Sequence, residues 1–371
     1  MWHARPMTDL PHPSTRGRSV RRWAGALAAS ALLITAACSG DDGDGAAPAT
    51  TAPSTTTTAA PSTTAPSTTV VTAPAPAEPL SWQQVDAGPV TPPPRSGAVL
   101  VASPDGVLWL HGGQVDGEPM GDLWRFGGTE WQEVTFEGGP SPRSEHAAVW
   151  DAAGDRLVVA LGEGSGGEVF DDVWAFDLAT STWSTLATGG PAARYGQCTV
   201  VDDQGRMVIS HGFSSSERSG DTWAFDLAAA TWADITPAEG PRPSNRCLHA
   251  CGYDEATGEL VLFGGRNDDE PYLGDTWRLG AGGWQEVPGV GPSPRSRSRA
   301  AFTDGLLVFG GEGADGLAGD AWLLGEGGWV PGPTGGPDDR QAPAVAEVDG
   351  VVWVVGGLGE DGPLADLWRY G

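Results

Sequence analysis

The sequence predicts an all-β chain built from one unit written six times. Three observations carry this. The triplet Asp-x-Trp recurs at Asp122, Asp172, Asp221, Asp275, Asp320 and Asp366, every 45 to 54 residues. An apolar run precedes each triplet and ends in a glycine pair or its relic. Gly and Pro are abundant, at 56 and 31 residues of 371, so tight turns separate the apolar runs.

Each unit reads as four short strands. The first follows an arginine: Arg95, Arg143, Arg194, Arg246, Arg295 or Arg340. The second is the apolar run, such as Leu260-Val261-Leu262-Phe263, ending in Gly112-Gly113, Gly162-Glu163, Gly212-Phe213, Gly264-Gly265, Gly310-Gly311 or Gly356-Gly357. The third carries Asp-x-Trp. The fourth carries a later tryptophan: Trp131, Trp183, Trp232, Trp284 or Trp329. Between strands one and two lie hairpin signals such as Pro104-Asp105-Gly106 and Asp203-Gln204-Gly205.

Glycine pair, spaced acidic and aromatic residues, and a period near 50 residues resemble Kelch repeats over residues 81–371. The departures are Glu163 and Phe213, read here as replacing the second glycine. Trp two residues after the Asp is similar to bacterial and galactose-oxidase-like Kelch domains. The resemblance implies a six-bladed β-propeller. The sixth unit stops at Gly371 without its fourth strand. Ser81 to Val85 matches the fourth strands Glu130 to Val134 and Gly283 to Val287. The N-terminal strand is therefore expected to complete the last blade and remove the open sheet edges.

The chain before residue 81 reads as an address. Arg16, Arg18, Arg21 and Arg22 precede an apolar run of 14 residues, Ala24 to Ala37. That is short of the about 20 apolar residues a spanning helix needs, and it suits an export signal over residues 1–37. Cys38 follows small residues and resembles the lipidated cysteine of bacterial lipoproteins, with Thr35 where that pattern prefers Leu. Residues 38–80 are rich in Thr, Pro, Ala and Ser and cannot bury a core. They read as a disordered tether, about 100 Å long at roughly 3 Å per residue if extended. The expected location is extracytoplasmic, with a lipid anchor in the bacterial cell membrane.

Charge excludes one class of partner. With 48 acidic against 21 basic residues the net charge is −27, so nucleic acid is not expected. Every basic residue is Arg. Chemistry that needs a lysine is ruled out.

Function is sought where the repeat is broken. The six arginines form either an anion-binding ring or, the favoured reading, a repeated pairing with the Asp of Asp-x-Trp. His111 and His211 read as equivalent positions before the glycine pair, and His146 and His249 as equivalent positions three residues after the arginine. All four are expected towards one mouth, as a ligand site or, preferred, as local hydrogen-bonding groups. Arg295, Arg297 and Arg299 alternate along one strand, and the last two are particular to their unit, which suits a carboxylate or phosphate contact. Cys198 and Cys251 fall at similar heights and opposite parities on adjacent first strands, predicting a disulfide and a free Cys247. A zinc site from Cys247, His249 and Cys251 is disfavoured, because same-face neighbours on a strand sit about 6.6 Å apart. Asp268, Asp269 and Glu270 lack EF-hand spacing and read as solvated acidic surface. No cofactor or metal is expected.

The reading that results is a monomeric binding or scaffold module, engaging a protein or glycan of the envelope through one propeller face. Its candidate ligand-binding residues are His111, Arg143, Glu145, His146, Arg194, His211, Arg246, His249, Arg297 and Arg299. The alternative is a carbohydrate-active enzyme, a sugar mutarotase or oxidase, using Arg143, Glu145, His146, Arg297 and His249 at the channel mouth. Copper oxidase chemistry is disfavoured, because no copper motif matches around Tyr195, Tyr253, Tyr272 and Tyr370.

Overall fold

The computed structural model describes residues 80–371. The export signal, Cys38 and the tether lie outside the described residues. The described chain forms six four-stranded antiparallel sheets, one per repeat. The fourth repeat shows the plan: Ala250–Asp254, Glu259–Phe263, Thr276–Gly280 and Gly283–Glu286, paired in chain order from the axis outward. Its second strand is buried on both faces from Leu260 to Phe263, because neighbouring sheets cover it on either side. That is why the sequence there is a continuous apolar run and not an alternating one.

Short turns join the strands, and aspartates hold several of them. Asp254 Oδ1 accepts from the N–H groups of Ala256 and Thr257, and Asp151 Oδ1 accepts from Gly154. These are Asx turns, which stabilise a hairpin through a local side-chain acceptor. All such hairpins lie on one face of the molecule. The longer connections between strands two and three lie on the other, the loop face, near the repeated arginines.

The first strand of each sheet packs against those of the sheets before and after it, and Ala344–Val348 packs on Val99–Ala102. The order therefore closes on itself. In the last sheet Trp82–Gln84 pairs with Gly362–Tyr370, in the register Trp82 to Tyr370 and Gln84 to Trp368. Val85 N–H extends the pairing to Leu367 O at 2.8 Å. The N-terminal strand thus supplies the outer edge of a sheet whose other strands come from the C-terminus. The molecule is an all-β propeller.

Apolar clusters fill the spaces between sheets, as where Leu108, Leu110 and Phe126 meet Ala344, Val355 and Leu367. Outer-strand tryptophans are packed by glycines from the preceding connection. A Cβ on Gly190 would lie 2.3 Å from Trp232 Cδ1, and one on Gly139 would lie 2.7 Å from Trp183 Cδ1. A disulfide joins Cys198 and Cys251 across adjacent first strands, with Cα atoms 5.8 Å apart. Cys247 is a buried thiol.

Two assignments of the glycine pair need correcting. The left-handed first position is occupied by Gly112, Leu161, His211, Gly264, Gly310 and Gly356, with φ between 59° and 68°. The pairs in the second and third repeats are therefore Leu161-Gly162 and His211-Gly212. The residue that departs is the first glycine, and the second is Gly in all six. Its N–H donates in every repeat to the carbonyl of the next repeat's arginine, for instance Gly113 to Arg143 and Gly357 to Arg95, both at 2.9 Å. A side chain at the second position would strike neighbouring backbone, as Gly265 shows with Cys247 O at 2.7 Å from a built Cβ. The shift in frame also separates His111 from His211. His111 corresponds to Ser210, and His211 stands in a glycine's place.

Candidate functional site

The six arginines are a staple. Each is at most 2% exposed and forks onto the Asp of its own Asp-x-Trp, as Arg95 does onto Asp122 at 2.6 and 2.7 Å. Nη1 also donates to the carbonyl of the first pair position, and Nε to the carbonyl two residues before the arginine, here Gly112 and Pro93. The tryptophan completes the group by donating Nε1–H to the same carboxylate, as Trp124 does to Asp122 at 2.7 Å. Burial raises the carboxyls of Asp122, Asp172, Asp221, Asp275 and Asp320, but the arginine bonds outweigh it and hold them below the usual range. Arg143, Arg194 and Arg246 are therefore withdrawn from ligand binding, because these bonds occupy their guanidinium groups.

Two residues after each arginine the backbone turns left-handed in all six repeats: Gly97, Glu145, Gly196, Leu248, Arg297 and Ala342, with φ between 49° and 65°. Each of these N–H groups donates to the carbonyl of the preceding repeat's counterpart, at 2.7 to 2.9 Å, and Gly97 closes the circle onto Ala342. A continuous ring of six backbone hydrogen bonds thus surrounds the axis at the loop face. Two of its glycines make room for their neighbours: a Cβ on Gly97 would meet Glu145 Oε1 at 3.2 Å, and one on Gly196 would meet Leu248 Cδ2 at 2.8 Å.

Around this ring, two further positions face each other as β-bridges. The residue after the arginine pairs with the residue after the glycine pair in every repeat: Ser96 with Gln114, Ser144 with Glu163, Tyr195 with Phe213, Cys247 with Arg266, Ser296 with Glu312 and Gln341 with Leu358. The backbone here is the same six times, while the side chains change from repeat to repeat, with a Ser–Glu pair recurring only in the second and fifth. These are the positions at which a repeated scaffold presents a varied chemistry.

The resulting cluster is polar and half-buried. Burial first, and then the charge of Glu145, raise the Glu163 carboxyl, against the pull of Arg297. Burial likewise raises the Tyr195 phenol and the Cys247 thiol, so both keep their protons at neutral pH. Cys247 is thus no thiolate nucleophile. Arg218 pairs with Asp268 across the loops of repeats three and four, and Arg297 donates to Gln341 Oε1 at 3.2 Å. The Nε atoms of Arg218, Arg266 and Arg297 are buried without a protein partner.

Other sequence candidates sit differently from expectation. Arg295, Arg297 and Arg299 do not share a face, because the left-handed turn at Arg297 interrupts the strand. Arg295 is in its staple, Arg297 is on the ring, and Arg299 reaches across the axis to pair with Glu145 of the second repeat. The histidines form two pairs below the ring instead of lining the mouth. His111 Nδ1 and His146 Nε2 are 3.0 Å apart, and the rings of His211 and His249 are 5.6 Å apart. All four are at most 5% exposed, which removes His111 and His211 from a ligand site at the mouth. Burial, then neighbouring Arg charge, lowers His111 and His211 to about 3. Burial, then the facing histidine, lowers His146 and His249 well below the usual value. The enzyme alternative loses Arg143 to its staple and both its histidines from the mouth. Among the described residues, no group of three or more His, Cys, Asp or Glu side chains is placed to hold a metal ion.

Sequence reasoning missed Glu163 and the axial role of Arg266. The available signal was position: each directly follows a glycine pair, once the frame of that pair is set.

A family model described as the KLHDC2/KLHL20/DRC7 Kelch-repeats domain matches residues 76–252. Through these residues the chain is similar to Kelch-repeat domains. Over 249 residues, 58% of this chain and 8% of the relative, it is 29% identical to mouse (Mus musculus) Multiple epidermal growth factor-like domains protein 8. The human (Homo sapiens) protein of that name is 29% identical over 188 residues, 46% of this chain and 6% of its own. Serine/threonine-protein phosphatase BSL2 of Arabidopsis thaliana is 30% identical over 196 residues, 49% of this chain and 19% of its own. The chain spans less than a fifth of the length of these relatives.

Proposed function

We propose that this Kelch domain is an interaction module, held at the bacterial envelope by a lipidated Cys38, that docks an acidic segment of a protein partner on its loop face. The observation that carries the reading is the set of three guanidinium groups, Arg218, Arg266 and Arg297, whose Nε atoms have no protein partner although buried. A buried donor without an acceptor costs about 1–3 kcal/mol, and a carboxylate or carbonyl of a partner removes that cost. Arg297 stands on the backbone ring and Arg266 at the bridge position beside it, and no other repeat has an arginine at either place.

The test is cross-linking in cells followed by mass spectrometry, comparing the native chain with an Arg266→Ala/Arg297→Ala variant. A protein captured by the native chain and lost from the variant is the expected result. Equal capture by both chains refutes the loop-face site. Cys38→Ala is expected to move the protein from the membrane fraction to the soluble fraction, and unchanged fractionation refutes the anchor.

A further inference from the structure

Below the backbone ring the axis holds a chamber of about 140 Å³, with first-strand residues of all six repeats in its wall. Its polar side is made by Glu145, His146, Gln197, Thr199, His249 and Arg299. Many of these groups have no protein partner: His146 Nδ1, both ring nitrogens of His249, both amide atoms of Gln197 and Thr199 Oγ1. His146 and His249 are 5% and 4% exposed, so bulk water does not serve them. Polar groups buried in this way are satisfied by something held in the chamber with them.

The chemistry of the wall restricts what that is. The Glu145–Arg299 ion pair joins the second and fifth repeats across the axis, and its charges cancel. Burial keeps both imidazoles neutral, so His249 offers one N–H donor and one acceptor nitrogen, and His146, whose Nε2 is engaged with His111, offers Nδ1. The Gln197 amide and the Thr199 hydroxyl also donate and accept. Donors and acceptors are therefore balanced and carry no net charge. An ion placed here would lack a counter-charge. A hydroxyl, which donates and accepts through one atom, matches every group in the wall.

Access is from the hairpin face. The chamber shares Thr199, Cys251 and Ala300 with a depression of about 1680 Å³ on that side, whose wall includes the aromatic rings of Tyr253, Phe302 and Tyr370. On the loop side the Glu145–Arg299 pair and the backbone ring form a roof.

We propose that the axial chamber is a binding site for an uncharged, hydroxyl-rich ligand, a sugar residue or a polyol, entering from the hairpin face. At about 30 Å³ per water, the chamber holds the equivalent of four or five water molecules, which such a ligand group replaces hydroxyl for hydroxyl. The site is separate from the loop face and does not depend on the protein-docking reading.

The experiment uses the full chain, isolated in detergent with ¹⁵N-labelled histidine. Imidazole nitrogen signals are followed while glucose, galactose, mannose, glycerol or a neutral oligosaccharide is added, with glucuronate and glucosamine as charged counterparts. At least one neutral probe is expected to shift the His146 and His249 signals, and the charged counterparts to leave them in place. Response to the monosaccharides identifies a free sugar as the source, and response to the oligosaccharide alone identifies a glycan end. Thr199→Val keeps shape and removes the hydroxyl, and Gln197→Ala removes the amide; each should weaken binding about tenfold. Arg266→Ala on the loop face should leave it unchanged. The proposal is overturned if no neutral probe moves these signals up to its solubility, if the charged counterparts move them equally, or if binding survives both chamber substitutions intact.

Discussion

Acidification from pH 7 to pH 5 should cost this domain about 4 kcal/mol through two histidines alone. His111 and His211 are held at about 3 in the folded chain, against 6.5 for a free imidazole. A depressed base leaves stability intact above its unfolded value and loses it as pH falls towards its folded value. The loss therefore begins near pH 6.5 and continues towards pH 3. At pH 5 it is about 1.4 kcal/mol for each of 1.5 pH units, or about 2 kcal/mol per histidine. His146 and His249 shift in the same direction and add to it. The charged groups acting on His111 are Arg143, Asp122 and Arg95, and His146 lies against it; those acting on His211 are Arg246, Asp221, Arg194 and Asp275, with Ser210 and His249 against it. The staple aspartates are depressed acids, so their contribution is lost only below the ordinary carboxylate range, outside this window. Urea unfolding followed by tryptophan fluorescence at pH 7, 6 and 5 measures the effect. His211→Gly isolates half of it, because His211 stands at φ 61° where four repeats have glycine. The variant should show about 2 kcal/mol less loss between pH 7 and pH 5 than the native chain. Superimposed native curves at the two pH values, or an undiminished loss in the variant, would refute the reasoning.

Three further outcomes follow from the packing. Gly190→Ala places a Cβ 2.3 Å from Trp232 Cδ1 at φ 120°, so it should destabilise by about 2–4 kcal/mol, read as a fall in the urea midpoint. Asp275→Ala leaves Arg246, 1% exposed, without its carboxylate, and should cost about 3 kcal/mol in the same assay; a loss below about 1 kcal/mol contradicts the staple. Reduction of the Cys198–Cys251 bond, which closes a loop of 53 residues, should cost about 4 kcal/mol, seen as a lower melting temperature in dithiothreitol that Cys251→Ser reproduces without it.

Much of the fold was legible because each repeat states it again. Arginine, glycine, aspartate and tryptophan recur at matched offsets, and a staple needed six times leaves six copies. The completing strand was legible for the same reason, since Trp82 to Val85 repeats a fourth-strand sequence found elsewhere. The pairing of Cys198 with Cys251 follows from strand parity, which sequence position carries directly. The glycine frame was misread in repeats two and three because Leu161 and His211 accept a left-handed backbone that is usually glycine's. The same mistake made His111 and His211 look equivalent.

The sequence by itself determined the six-fold repetition, the strand order within each unit and the residues that repeat for structural reasons. Tertiary structure alone decided what stands at the axis. The ring there is made of backbone N–H and C=O groups, which every residue has, so Gly97, Glu145, Gly196, Leu248, Arg297 and Ala342 share no side-chain signature. Glu145 and Arg299 meet across that axis from positions 154 residues apart, and Arg218, Arg266 and Arg297 gather at the loop face from three repeats. Such contacts arise only when the ring of sheets closes, because closure and not local sequence brings opposite repeats within reach.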